Sequence, residues 1–283
     1  MSRNFGIVVD SMTLKGFKQK IFKDAGLVSL SFLIGSMTIS DLKYSTKELI
    51  NFSAGKKIKL LNPAPELFIK AYEEQKSLGY EKVIYLASHR ELTDCMHSAE
   101  LAQTILNDPN FIIIDTKTFG PGIVRMLELI DYFNNQGMEL SSILDKIQKT
   151  IDEGELYFTS TDFKPFVAPH QETSKFKQGV SKIIPHTYII SLKQGIFKLE
   201  KKYLTSISVE KFFLERIKQR MILSPQHVKI FHNTLPSKSK ELQHEVHHQF
   251  KEVITSLYGE LSFAVGKDLG SKSVGIYISD YEV

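Results

Sequence analysis

Nine histidines, one cysteine and a scatter of acids at strand ends are the residues of this chain with the chemistry to act. His244, His247 and His248 fall at i, i+3 and i+4 in ELQHEVHHQF, a spacing that can hold a metal on one helix. The helix is read over 237–258, with an apolar stripe through Leu242, Val246, Phe250, Val253 and Leu257. His244 and His248 fall roughly opposite that stripe, so a solvated face is expected and not a metal site. Nor is the order that of a His-Glu-x-x-His protease. Cys95 and His97 lie two positions apart, on different faces of a helix, and make no dyad. Cys95 is expected to pack near a helix start. The sequence has no phosphate-cradling Gly-rich motif and no nucleophile elbow.

The other polar candidates stand where strands give way to helices. They are Asp10-Ser11, Asn62-Pro63, Ser88-His89, Thr93-Asp94, and Asp115-Thr116 followed by Gly120 and Gly122. In a parallel sheet, ligands bind beyond the carboxyl ends of the strands, where all of these fall. Asn62, Thr93 and Thr116 are equally suited to cap helices, and both roles stay open.

Positioning such residues requires a particular order of elements. Strands are expected at NFGIVVD (4–10), LVSLSFLIG (27–35), KVIYLA (82–87) and FIIID (111–115). Helices fall between them: PELFIKAYEEQKSLG, with Leu67, Ala71 and Leu78 on its inner stripe and Gly79 as terminator, then ELTDCMHSAELAQTIL, then about 120–136. This alternation implies a parallel sheet with helices on both faces. A helix at 139–153 and LYFTST (156–161) follow, and then the rhythm changes. A hairpin over 186–204 turns around Lys193-Gln194-Gly195. A helix near 206–222, the strand HVKIFHN (227–233), the long helix and strands near 261–265 and 273–279 complete the chain. An N-terminal α/β domain over 1–160 and a C-terminal mixed α/β domain over 161–283 are therefore expected.

Composition bounds the function. The 283 residues are 42% hydrophobic and 24% charged, which excludes disordered, collagen-like and disulfide-scaffold classes. No apolar run is long enough to span a membrane, and the opening MSRNFGIVVDS is not expected to act as a secretory leader. With one cysteine as well, a bacterial cytoplasmic protein is expected. The net charge is only +4, its lysines are interleaved with acids, and 31 lysines stand against five arginines. Nucleic acid is not an expected partner.

In order, five segments resemble motifs of the DegV family of bacterial fatty-acid-binding proteins. Val9-Asp10-Ser11 resembles its Thr-Asp-Ser strand end, and Leu60-Leu61-Asn62-Pro63-Ala64-Pro65 its Thr-Ser-Gln-Pro-Ser-Pro turn. Leu92-Thr93-Asp94-Cys95-Met96-His97-Ser98-Ala99 is similar to Leu-Ser-Gly-Thr-Tyr-Gln-Ser-Ala. Asp115-Thr116 with Gly120 and Gly122 resembles its Asp-Ser and paired glycines, and Asp268-Leu269-Gly270-Ser271-Lys272 its His-Thr-Gly-Pro-Gly turn.

The resemblance covers essentially the whole chain. It implies a two-domain DegV-like fold with one long-chain fatty acid between the domains, carboxylate at the surface and tail in an apolar tunnel. It also implies a carrier, with no cofactor beyond the lipid, serving a separate fatty-acid kinase that phosphorylates the carboxylate. Asn62 and Thr93 would then be head-group donors and His89 and Lys272 charge candidates, with Ser11, Gly120 and Asp268 completing the lipid-binding set. A tail of about 14 to 16 methylenes gains roughly 11 to 13 kcal/mol on burial.

Some positions differ from the family pattern. Leu60-Leu61 replaces Thr-Ser, Asp94 a glycine, Asp268 a histidine, and Pro169-His170-Gln171 a Gly-Gly-Arg. Acids beside a ligand carboxylate repel it or force a proton onto one partner. A neutral or differently headed lipid, and a fold retained without lipid binding, therefore stay open. So does an enzyme using Asp10, Asp115 and Asp268 on a small substrate.

Overall fold

The computed structural model describes residues 3–14, 21–167, 186–203, 207–270 and 272–281. From the N-terminus the chain runs β1 (Phe5–Asp10), α1 (Ser11–Leu14), β2 (Gly26–Val28), β3 (Ser31–Ile34), β4 (Met37–Ser40), α2 (Thr46–Ser53) and β5 (Ile58–Leu61). It continues through α3 (Pro65–Ser77), β6 (Lys82–Ala87), α4 (Cys95–Leu106), β7 (Phe111–Asp115), α5 (Pro121–Asn135), α6 (Leu140–Glu153) and β8 (Glu155–Ser160). Then come α7 (Lys164–Val167), β9 (Thr187–Lys193), β10 (Ile196–Tyr203), α8 (Ile207–Met221) and β11 (Gln226–Asn233). Finally there are α9 (Pro236–Gln249), β12 (Ile254–Glu260), α10 (Phe263–Leu269) and β13 (Ser273–Asp280).

A parallel sheet of order β2-β1-β6-β7 forms the first layer. Its central strands β1 and β6 are buried on both faces, as their near-continuous apolar runs require. Ile7 and Val9 pack with Ile84 and Leu86 against α5 and α6, while Val8 and Tyr85 face Phe68, Ala71 and Tyr72 of α3. The second layer is a six-stranded sheet of order β10-β9-β8-β13-β11-β12, antiparallel except for the β11–β12 pair. The expected hairpin is β9–β10, and both turn residues, Gln194 and Gly195, have positive φ, as a two-residue turn matching strand twist demands.

Four readings of the sequence need correction. The segment 27–35 is not one strand: it breaks at Ser29-Leu30, so β2 joins the parallel sheet and β3 a small antiparallel sheet β4-β3-β5. The inner stripe of α3 is Phe68, Ala71, Tyr72 and Gln75, and Leu67 and Leu78 are exposed. The helix carrying the three histidines stops at Gln249, because Ile254-Thr255-Ser256-Leu257 pairs with β11 as an edge strand. Last, 261–265 begins a helix, whose N-cap Ser262 accepts the Ala264 N–H.

The two layers are joined by a polar seam laid across one apolar cluster. Asp41, fully buried, accepts the Ser11 hydroxyl at 3.1 Å, the Ser262 hydroxyl at 2.7 Å and the Phe263 N–H at 3.3 Å. The Tyr258 hydroxyl reaches the Thr13 carbonyl at 2.9 Å. Lys229 on β11, only 2% exposed, donates to Glu128 of α5 at 2.7 Å and to Ser256 at 2.9 Å. Between these ties, Phe119 of the first layer meets Phe158 and Phe231 of the second edge-on.

Removing the Asp41 carboxylate strands two buried hydroxyls and a buried N–H. Asp41→Ala is expected to cost about 3 kcal/mol in urea unfolding, and Ser262→Ala about 1 kcal/mol. A loss for Asp41→Ala near zero would show that the carboxylate does not hold the layers together.

Three buried histidines govern acid stability. Burial lowers His89, His232 and His227 from the ordinary 6.5, the last to about 2, with Arg125 and Lys229 adding to the effect on His227. Below pH 6.5 the unfolded chain therefore binds protons that the folded chain refuses, and stability falls as pH falls. His227 alone contributes up to about 1.4 kcal/mol per pH unit in that window. Asp10, raised above 3.8 by burial, acts in the opposite sense as pH falls toward 3.8. The unfolding free energy should decline from pH 7 to pH 5, and His227→Gln should reduce the slope; a flat profile in the wild type would refute this.

Candidate functional site

The strand order of the first sheet reverses direction between β1 and β6, and the crevice beyond their carboxyl ends is where open α/β sheets hold ligands. Here that crevice is occupied by Asp10. Its carboxylate accepts the Tyr85 hydroxyl and the Ser88 hydroxyl at 2.9 Å each, the Met12 N–H at 3.0 Å and the Ser88 N–H at 3.3 Å. Burial pushes its pKa up even against these donors. Asp10 thus fixes the start of the loop that follows β6.

That loop carries most of the candidate side chains. His89 is held by its N–H to the Thr118 carbonyl at 2.8 Å. The ring is buried, lies edge-on to Phe197 with centroids 5.3 Å apart, and sits under the tip of the β9–β10 hairpin at Gly195. Neither ring nitrogen has a hydrogen-bond partner among the described residues, and Nε2 lies 3.8 Å from Glu91. Burial lowers the pKa of His89, with Glu91 and Asp115 opposing, so the ring is neutral.

Farther along, the loop meets the turn after β5. Asn62 Oδ1 accepts the Thr93 hydroxyl at 2.9 Å and the Asp94 N–H at 3.2 Å, while its Nδ2 donates to the Asp94 carboxylate at 2.8 Å. The Thr93 hydroxyl also lies 3.1 Å from Cys95 Sγ and accepts the Cys95 N–H at 3.3 Å. None of the three residues considered is itself an N-cap, since the N-caps of α3, α4 and α5 are Ala64, Asp94 and Gly120. Thr93 nevertheless satisfies the N–H of Cys95, which opens α4. Cys95 opens α4 fully buried, and burial followed by the Asp10 charge pushes its thiol far up, which leaves it an inert packing group.

The remaining candidates stand along the seam. Ser11 donates to Asp41 and accepts the Leu30 N–H at 3.0 Å. Gly120 has φ +36°, and a Cβ there would come within 3.0 Å of the Tyr258 hydroxyl, so the absence of a side chain lets the two layers approach. Asp268 pairs with neighbouring Lys267 on α10, and Lys272 is exposed. Among the described residues neither bonds to Asn62, His89 or Thr93. Pro169, His170, Gln171 and Ser271 lie outside the described residues.

Asp10, Asp115 and Asp268 are separately engaged, Asp115 with Arg90 at 3.2 Å. The described residues contain no group of three or more His, Cys, Asp or Glu able to hold a metal. The sequence reading missed Asp41, which stands after a short strand like any surface acid, and the aromatic cluster. Phe158, Phe166 and Phe197 pack edge-on or tilted at centroid distances of 5.1 to 6.4 Å between the His89 loop and the second sheet. Leu60, Leu92 and Met96, flanking Asn62 and Thr93, pack on the same continuous cluster. The polar Asn62–Thr93 turn therefore adjoins the apolar cluster that packs between the layers.

Comparison with solved structures places this arrangement. A DegV-family protein from Thermus thermophilus, described for its fatty acid binding, superposes with TM-score 0.81 at 15% identity, covering 99% of this chain and all of the other. The fatty acid kinase (Fak) B3 protein of Streptococcus pneumoniae, loaded with linoleic acid, gives 0.82 at 13% identity with the same coverage. A Thermotoga maritima protein whose structure reveals a fatty acid binding function gives 0.77 at 18% identity, again covering 99% and 100%. No curated protein matches the sequence. The model of the DegV family of uncharacterised proteins matches residues 4–280, and with the motif order and fold in agreement, this chain belongs to the DegV family.

Proposed function

We propose that this protein is a carrier that holds one long-chain fatty acid or related lipid between its two layers, with the head group at the Asn62–Thr93 turn. It presents that head group to a separate fatty-acid kinase in the cytoplasm and catalyses nothing itself. The observation that carries this reading is the unbroken apolar cluster running from Leu60, Leu92 and Met96 to Phe158 and Phe197. A polar turn at one end and aromatic side chains between two sheets suit a ligand with a polar head and a long apolar tail. The solved relatives with the same fold that bind fatty acids support it. Among the described residues no helix is long and apolar enough to cross a membrane. Asn62, His89 and Thr93 form the head-group end of the proposed site, with Ser11 and Gly120 at the seam and Asp268 and Lys272 toward the last turn. A division of the chain near residue 160 belongs to the same reading.

Gentle purification, solvent extraction and mass spectrometry should recover close to one long-chain lipid per protein. No lipid in the extract, together with no binding of added long-chain fatty acid, alcohol or monoacylglycerol, would overturn the carrier reading.

A further inference from the structure

Resting on the carrier reading, we propose that His89 receives the carboxyl head of the bound fatty acid and takes up one proton from the solvent with each fatty acid bound. Burial singles this residue out. In the loop after β6, His89 and Thr93 are each only 4% exposed, whereas Arg90, Glu91, Asp94 and the facing Asn62 are open to water. Thr93 has already directed its hydroxyl to Asn62 Oδ1 or Cys95 Sγ. His89 has not: both its ring nitrogens are buried without a hydrogen-bond partner among the described residues. Thr118, whose carbonyl holds the His89 N–H at 2.8 Å, brings a second such group, a buried hydroxyl with no partner among the described residues. The ring also borders the aromatic cluster, edge-on to Phe197, and Leu92 and Met96 pack on that same cluster. A polar head that enters with an apolar tail therefore meets unanswered polar atoms at His89.

Charge then decides the form of the complex. A carboxylate in such a place needs a cation or a proton beside it. Arg90 has a side chain 61% exposed and paired with Asp115 at 3.2 Å. Lys117, which meets the hairpin tip at Gly195 as His89 does, is paired with Asp152 at 3.4 Å. The other described groups about the ring are acidic or neutral. Glu91 lies 3.8 Å from Nε2, Asp115 ends β7, and the hairpin brings Gln194, Gly195 and Phe197. Imidazole is the member of this set that can change its charge near neutral pH. In the free protein burial holds it neutral, with Arg90 acting in the same direction and Glu91 and Asp115 opposing. A bound carboxylate adds a further negative charge, and imidazolium becomes the favoured form. The proton comes from the solvent, because a fatty acid in water is already ionised at pH 7.5 and the free ring carries no charge. One ring nitrogen then donates to the ligand, and the other can answer Glu91.

The test is calorimetric titration of dodecanoate into the full-length, delipidated protein at pH 7.5, in two buffers of different ionisation enthalpy, with dodecanol as the uncharged control. The wild type should take up close to one proton per dodecanoate and none per dodecanol. Its dodecanoate affinity should rise about tenfold from pH 8 to pH 7 and level off where the free ring itself takes a proton, below 6.5. His89→Gln keeps a polar side chain but cannot titrate. It should abolish the proton uptake, weaken dodecanoate about tenfold or more at pH 7 and leave dodecanol within about twofold. Nitrogen-15 spectra of the wild type should show one of the nine histidine rings turning to imidazolium when dodecanoate binds. That spectrum decides the matter if circular dichroism shows the variant unfolded. Binding of dodecanoate by the wild type without proton uptake overturns the proposal. So does uptake that persists in folded His89→Gln, since the proton would then reside elsewhere. A wild type that binds neither dodecanoate nor oleate overturns the carrier reading instead.

Discussion

A single buried carboxylate orders much of this molecule. An acid with no water around it must find a donor for each lone pair it presents, or the cost exceeds what a small domain can carry. Asp41 finds its donors on both sides of the seam: Ser11 after β1, and Ser262 with the Phe263 N–H at the start of α10. Each hydroxyl is used twice. Ser11 also receives the Leu30 N–H, and Ser262 also receives the Ala264 N–H that begins α10. The end of the first strand, the break between β2 and β3 and the first turn of α10 are therefore tied by one network.

The region between the layers is apolar and rich in aromatic side chains. Edge-on aromatic pairs contribute about 1 kcal/mol each beyond the area they bury. A tail of roughly 14 methylenes gains about 11 kcal/mol when removed from water. The comparison favours the tail, even if several ring contacts are exchanged to admit it. The polar end follows a different logic. Hydrogen bonds to charged groups are strong only when the partner has the complementary role, so a lipid's head chemistry decides what its tail energy can be used for.

Much of the first layer was legible in the sequence. β6 and β7 fall where KVIYLA and FIIID predict them, because a strand buried on both faces is written as a continuous apolar run bounded by turns. The β9–β10 turn was legible because few residue pairs tolerate two positive φ angles. The split of 27–35 was not, since Val28 and Phe32 look alike to any periodicity. The bonds that part them, from Leu30 to Ser11 and to the Asp41 N–H, join residues distant in sequence. Val253 and Leu257 continued the helical spacing of α9 while belonging after its end, a coincidence of register that strand pairing overrode. At the site, Asn62 and Thr93 were legible as polar residues at strand ends. Their mutual bond, and the engagement of Asp94 by Asn62, join residues 31 and 32 positions apart and leave no local trace.

The seam also has a place in the order of synthesis. Asp41 and Ser262 are 221 positions apart. At translation rates of about 5 to 20 residues per second, Asp41 leaves the ribosome roughly 10 to 45 s before its partner exists. During that interval the nascent first layer carries a carboxylate that still lacks its Ser262 and Phe263 donors, and an uncovered apolar face. The acid which later locks the layers together thus serves earlier as a solubilising charge on a surface that would otherwise be prone to self-association.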